Sequence, residues 1–367
     1  MTHLVYPGAL HTRFHHALGA MHLMSLAIET LRSKGHLITP EEEEAVTIAI
    51  LLHDIGHGPF SHALEQTIVE GITHEDISIL IMNKLNLQFN GRLSMAIDIF
   101  NGTYKKQFLH ELVSGQLDMD RMDYLNRDSF FTGVSEGVIS FDRIIKMLNV
   151  IDDHTAVEEK GIYSIEKFLI ARRLMYWQVY LHKTVISAEQ LLGKILKRSR
   201  ELALKGKQLF ATPALNHFLV NKISKEAFMS EDHHIEIFAS LDDTDIMSAI
   251  KVWASDDDFV LSELCRMLML RNLYQVDITN EPPNNTSVTQ LTHNAINKYP
   301  ISPNESSYFV FTDVITNNAY KPGDGSIRIL MKNGTLQDIA AASDNSNLEA
   351  LAKTVKKYIL CYTKGLI

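Results

Sequence analysis

Three histidines and an aspartate fall within ten residues in the run Leu51-Leu52-His53-Asp54-Ile55-Gly56-His57-Gly58-Pro59-Phe60-Ser61-His62. Adjacent His53 and Asp54 offer a neutral nitrogen and an anionic oxygen to one metal ion, provided the backbone turns both to the same side. The preceding residues, Ala45 to Leu52, are almost wholly apolar, so the pair sits at the end of a buried helix. A buried acid beside a buried imidazole is costly unless paired or metallated. A single His-Asp dipeptide reads as a polar helix end; this density of histidine around one aspartate does not. Two further blocks can join it: His11-Thr12-Arg13-Phe14-His15-His16 upstream, and the acidic run from Asp118 to Asp128 downstream.

These blocks need helices to bring them together. Apolar residues at helical spacing predict a helix over 9–33. Thr39-Pro40-Glu41-Glu42 opens the next, with Thr as N-cap, Pro at the first position and acids against the positive helix end. Gly58-Pro59 opens a short helix to about Val69, and Thr73 caps another. Asp120, Tyr124 and Arg127 or Asp128 share one helical face. A strand or hairpin is expected around 157–163, then one long helix over 164–204 with a basic end (Lys194, Lys197, Arg198, Arg200, Lys205, Lys207) read as a solvated face. Helices continue to about 272, with Leu241-Asp242-Asp243-Thr244-Asp245 a helix entry. Residues 275–306, rich in Asn, Pro, Thr and Ser, read as a linker or loop. Beyond it, β-rich runs at 308–315, 327–331 and 355–362, a turn at Lys332-Asn333-Gly334-Thr335 and a helix at about 346–354 predict a small α+β module. The expected fold is mainly α: an all-helical core over 1–204, a helical extension over 205–274, the linker, and a module over 307–367.

The 367 residues, 46% hydrophobic and 22% charged, are ordinary for a globular protein of two or three domains. The formal net charge of −9 disfavours nucleic acid as a partner but not a local cationic pocket for a phosphorylated small molecule. Cys265 and Cys361, far apart and without metal-ligand spacing, indicate a reducing compartment. No apolar run reaches the roughly 18–20 residues needed to span a bilayer, and the N-terminus lacks a signal-peptide pattern. A cytoplasmic location is expected.

A site built from His16, His53, Asp54 and Asp120 would have two imidazoles, two carboxylates and open positions for water and a phosphate oxygen. That donor set suits Mn, Fe, Zn, Ni or Mg, and a metal there would lower the water pKa and polarise phosphorus.

Arg13-Phe14-x-His16, the His53-to-His62 block, Thr73-His74-Glu75 and Asp118-x-Asp120-Arg121-x-Asp123-Tyr124-x-x-Arg127-Asp128 together resemble the HD-domain phosphohydrolases. The match lies nearest the deoxynucleoside triphosphate triphosphohydrolase branch, which includes the sterile-alpha-motif and HD-domain enzyme, and covers about residues 5–200. The resemblance implies an HD core over 1–204 and a divalent metal on His16, His53, Asp54 and Asp120. It implies His74, with Glu65 beside it, as the acid that protonates the leaving oxygen; the family usually has Asp where Glu65 stands. His57 and His62 would contact phosphates. Arg13 would grip the phosphate chain or stack on the base. Arg121 stands where the family often has Lys. Tyr124 and Asp128 would face the sugar, and Arg172 and Tyr180 would hold phosphate and sugar. A planar Tyr can exclude a ribose 2′-OH and a carboxylate can accept from a 3′-OH. Family members carry some tens of residues before Tyr-Pro-Gly-Ala, including a Gln near base and sugar; here Pro7 stands six residues after Met1, and those contacts are not among the residues present.

His15, His22, His110 and His182 read as structural, Met119 and Met122 as packing residues, and Asp118 and Asp123 as supporting groups or helix caps. The function expected is hydrolysis of a dNTP to deoxynucleoside and triphosphate by metal-activated water attacking the α-phosphorus, in a homo-oligomer (dimer or tetramer) with a nucleotide substrate. The alternatives are hydrolysis of another phosphorylated metabolite, a nucleoside monophosphate or an alarmone, and a catalytically idle nucleotide-sensing module.

Overall fold

The computed structural model describes residues 1–60, 71–323, 325–344, 351 and 353–367. Caps set the N-terminal helices. In α1 (Arg13–Ser33) Thr12 accepts from the His15 N–H, and the His15 ring accepts from the Thr12 N–H. The helix therefore starts at 13 and not at 9, and His15 is a capping residue. Thr39 caps α2 (Pro40–Leu52) and Thr73 caps α3 (His74–Gln88), both through reciprocal capping boxes. Asp118 caps α4 (Met119–Thr132), which Gly133 ends in a left-handed conformation (φ 74°). A Cβ on Gly19 would lie 1.9 Å from Asp123 Oδ1, so the bare glycine lets α4 cross α1 closely. Met24, Ile28, Ile50, Met122, Leu125 and Phe168 share one apolar core around these helices.

The expected hairpin lies earlier than 157–163. It pairs β1 (Leu148–Ile151) with β2 (His154–Glu158) across Asp152-Asp153, both at positive φ (51° and 65°), the geometry of a tight two-residue turn. Lys160-Gly161 belongs to a short 3-10 turn leading into α5 (Ile162–Met175). The expected long helix is broken: Tyr176–Tyr180 widens into a π-helical turn, and His182 then caps α6 (Lys183–Leu204). No Gly or Pro marks the break; it follows the packing of Tyr176 and Tyr124 against Tyr180 (centroids 5.3 and 6.2 Å).

A second apolar core surrounds α6, α7 (Asp243–Trp253) and α8 (Phe259–Met269), with Trp253 and Phe309 fully enclosed. Each such side chain contributes about 1.5–3 kcal/mol. The basic end of α6 is only partly a solvated face. Arg198 is buried and forks onto Asp258 (3.0 and 2.6 Å) with Glu305 at 2.7 Å, and Lys207 pairs with Asp256 (2.5 Å).

Residues 275–306 hold β3 (Gln275–Thr279) and α9 (Asn285–Lys298), not a loop. Asn284 caps α9, and Leu291 and Ala295 bury one narrow face, too little apolar signal to outweigh a turn-like composition. The later strands are β4 (Val310–Asn317), β5 (Arg328–Leu330), β6 (Leu336–Asp338) and β7 (Val355–Tyr362). They divide between two sheets: β3-β7-β4, antiparallel, on the second core, and β1-β2-β5-β6, in which β5 joins the core hairpin in parallel. The predicted turn at 332–335 links β5 to β6. The helices expected at 58–69 and 346–354 fall largely outside the described residues. Cys265 and Cys361 are buried free thiols.

Candidate metal centre

His16 on α1, His53 at the end of α2 and Asp120 in the first turn of α4 offer ligand atoms that all lie within 4.8 Å of one another. His16 Nε2 is 3.0 Å from Asp120 Oδ1, and its Nδ1 is 2.7 Å from Asp123 Oδ2. His53 Nδ1 is 2.6 Å from the Ile50 carbonyl, so Nδ1–H donates there and the lone pair sits on Nε2. That Nε2 is buried without a hydrogen-bond partner among the described residues, 3.4 Å from Asp54 Oδ1 and 3.5 Å from Asp120 Oδ1. Asp54 stands at the edge of this group. Its Oδ2 accepts from Arg13 at 2.5 Å, and its Oδ1 lies 3.5 Å from His57 Nε2.

The turn after Asp54 is braced from α3. The Gly56 N–H donates to Ser78 Oγ (2.9 Å), and that hydroxyl donates to the His53 carbonyl (3.0 Å). A Cβ at Gly56 would lie 2.1 Å from the His74 carbonyl, so only glycine admits the contact. The brace brings His74 over His57, rings stacked at 3.9 Å. His74 Nε2 is 3.1 Å from Glu75 Oε1. The expected partner Glu65, and His62, lie outside the described residues.

Charge here is concentrated and negative. Burial lowers the pKa of His16, but Asp120 and Asp123 outweigh it and raise the pKa to about 10. His53 is raised as well, burial being outweighed by Asp120 and Asp54. Burial likewise opposes ionisation of Asp54 and Asp120, yet their imidazole and Arg13 neighbours hold both well below the usual carboxylate range. A field that favours imidazolium favours a divalent cation.

The other expected residues separate. Arg13, His57, Asp128 and Tyr180 line a cleft of about 1600 Å³; Arg121, Tyr124 and Arg172 do not. Arg121 is tied to Asp118 through both its side chain and its backbone N–H. Tyr124 is kept protonated by burial. Arg172 Nε is buried without a partner among the described residues. Asp128 accepts from Tyr180 OH (2.5 Å) and lies 2.7 Å from His11 Nε2, with the His11 ring stacked on Phe131. His11 was missed by sequence reasoning; its place two residues before Arg13 was the one available signal. Ser78 carries no signal of its own, and Glu75 entered only as part of the Thr73-His74-Glu75 motif. His110 bonds the Ile99 carbonyl, His182 caps α6 and His22 is exposed.

The HD domain model matches residues 13–128 and that of the HD associated region matches 139–217. The crystal structure of a phosphohydrolase from Bacteroides thetaiotaomicron superposes with a TM-score of 0.95 at 54% identity, covering 99% of this chain and 90% of that one. The chain belongs to the HD-domain phosphohydrolases. The uncharacterised YwfO of Bacillus subtilis is 31% identical over 381 residues, 100% of this chain and 84% of that protein. A deoxynucleoside triphosphate triphosphohydrolase SAMHD1 homologue of Dictyostelium discoideum is 33% identical over 207 residues, 51% of this chain and 40% of its own length. HD domains are metal-dependent, and this HD phosphohydrolase has a donor set that fits: an orphaned buried imidazole nitrogen facing two carboxylates, beside a second imidazole that Asp123 orients. Among the described residues no helix is long and apolar enough to cross a membrane.

Proposed function

We propose that the protein hydrolyses deoxynucleoside triphosphates to deoxynucleoside and triphosphate, using a divalent metal (Mn, Fe, Zn, Ni or Mg) held by His16, His53, Asp54 and Asp120. The observation that carries this reading is the compact His16, His53 and Asp120 group with the orphaned His53 Nε2, beside a cleft lined by Arg13 and His57. A bound metal would supply Lewis acidity and an acidified water. Asp123 fixes the His16 ring. Arg13 and His57, both in contact with Asp54, meet the phosphate chain from the cleft wall, and His62 is assigned a phosphate contact by the family resemblance alone. His74, stacked on His57 and flanked by Glu75, donates its proton to the leaving oxygen, with Glu65 as a second carboxylate. Arg121 and Arg172 add positive charge behind this wall. Asp128, held by Tyr180 and His11, accepts from the sugar 3′-OH, and the Tyr180 ring, backed by Tyr124, closes the space a 2′-OH would take. The name of the Dictyostelium discoideum relative supports the substrate class. A cytoplasmic homo-oligomer accompanies the reading.

The test is product analysis on a dNTP panel with metal-loaded protein. Tripolyphosphate plus deoxynucleoside is expected. Orthophosphate or pyrophosphate would transfer the site to another phosphorylated metabolite, and stoichiometric metal without turnover of any nucleotide would make it a sensing module.

A further inference from the structure

The cleft is far larger than one nucleotide needs, and its far wall is built from α6. Gly193 leaves that wall open, with no atom within 4 Å of where a Cβ would stand. Lys194, Lys197 and Arg200 follow on the same helix, and Lys222 faces them from the loop beyond. At a rise of about 1.5 Å per residue, the three α6 cations lie roughly 16–26 Å along the axis from the helix start beside Tyr180. One nucleotide cannot occupy both ends.

Two of these cations rest near rings. Lys194 Nζ sits 4.1 Å from the Phe311 ring centre and donates to the Ser307 carbonyl (2.9 Å), while Lys197 Nζ lies 6.0 Å from the Tyr308 ring. Among the described residues neither Lys197 nor Lys222 has a carboxylate within ion-pair distance. Acids also face the cleft, but most are engaged. Asp313 accepts from Gln190, Glu201 lies beside Arg198, Asp242 caps α7, and Asp243 accepts from the Phe60 N–H; Glu189 lies one turn before Gly193.

We propose that Lys194, Lys197, Arg200 and Lys222 form a second ligand site, distinct from the His-Asp centre, that binds a phosphate chain, either free polyphosphate or the chain of a nucleoside triphosphate. Compact ammonium charges beside aromatic faces suit a flexible polyanion better than a planar carboxylate. Burial, and then Lys197, lowers the Lys194 ammonium to about 8, so an anion arriving there draws a proton onto it.

The test titrates inorganic tripolyphosphate into the full chain carrying His53→Ala, which removes the reaction without touching α6. A binding event is expected that is weakened at least tenfold by adding Lys194→Gln with Lys197→Gln, and by the exposed Lys197→Glu alone, whatever weaker binding Arg13 and His57 retain. Near pH 8, calorimetry in buffers of different ionisation enthalpy should show proton uptake. A parallel arm with dGTP and with deoxyguanosine separates the sources. Equal loss of dGTP and tripolyphosphate binding on the lysine changes assigns recognition to the chain alone, and tighter dGTP that the same changes weaken assigns a nucleotide; deoxyguanosine, which lacks the chain, should be indifferent to the lysine changes, and weakening of its binding by them overturns the site. Absence of tripolyphosphate binding to His53→Ala, or binding indifferent to both lysine variants, also overturns it. Because His53→Ala carries no turnover on the proposed reading, the two readings fail separately.

Discussion

Around the His-Asp group, Asp54 meets Arg13, Asp123 meets His16 and Arg127, and Asp118 meets Arg121. Along α6, Lys194 rests on Phe311 and Lys197 near Tyr308. The first end is a fixed array in which most donors are held before a ligand arrives. The second holds ammonium groups on long aliphatic stems that are tied to rings and a carbonyl more than to acids at Lys194 and Lys197. Fixed arrays suit chemistry, where reacting atoms must be placed to a fraction of an ångström; loose cations suit binding of anions of variable shape.

The largest expected break in that contrast comes from His53→Ala or Asp120→Ala. Either should lower kcat/KM on the order of 1000-fold and reduce bound metal, measured by turnover and elemental analysis. Retained metal with retained turnover would move the centre elsewhere. Asp123→Asn reaches the ligand group through His16 and should cost about 10–100-fold in metal affinity or activity, read by metal titration. His11→Phe keeps a ring against Phe131 but removes the contact with Asp128. It should raise KM for a deoxynucleotide about tenfold with kcat little changed, the loss of one hydrogen bond to a charged group.

A fourth measurement takes the cleft out of the comparison. Glu42 is buried and bonded to Lys106 (2.6 Å), Tyr104 (2.8 Å) and the Thr39 N–H. Burial opposes its ionisation, but these partners lower its pKa from 4.5. A depressed folded-state pKa gives stability that is present above the unfolded value and lost as pH falls through the folded one. Glu42→Gln should therefore cost about 1–3 kcal/mol at neutral pH. The gap in thermal unfolding between variant and wild type should close below about pH 4, with activity per folded molecule unchanged.

Local signals made much of this readable in advance. Thr39, Thr73 and Asp242 act through their nearest neighbours, and so did the helix starts they predicted. His16, His53 and Asp120 were found because the HD block and its flanks are dense in ligand types. What escaped depends on contacts across the chain. The widened turn at 176–180 follows Tyr124, some fifty residues earlier. The parallel pairing of β2 with β5 joins segments about 170 residues apart. Arg198 looked like a surface cation because its partners, Asp258 and Glu305, lie 60 and 107 residues away.

The C-terminal strands bear on how this chain can be cut. Tyr320, Ile329 and Ile339 complete the core beneath the HD helices, while Phe309, Val310, Ile359 and Cys361 complete the one around α6. Gln116 grips Lys321 through both its amide donor and its acceptor, and Glu111 holds Arg328. The last sixty residues are thus a strap buckled into both halves. A fragment ending near residue 306 would uncover apolar surface on each side, so the HD helices are not a portable domain, and a stop codon after α9 should abolish soluble protein altogether.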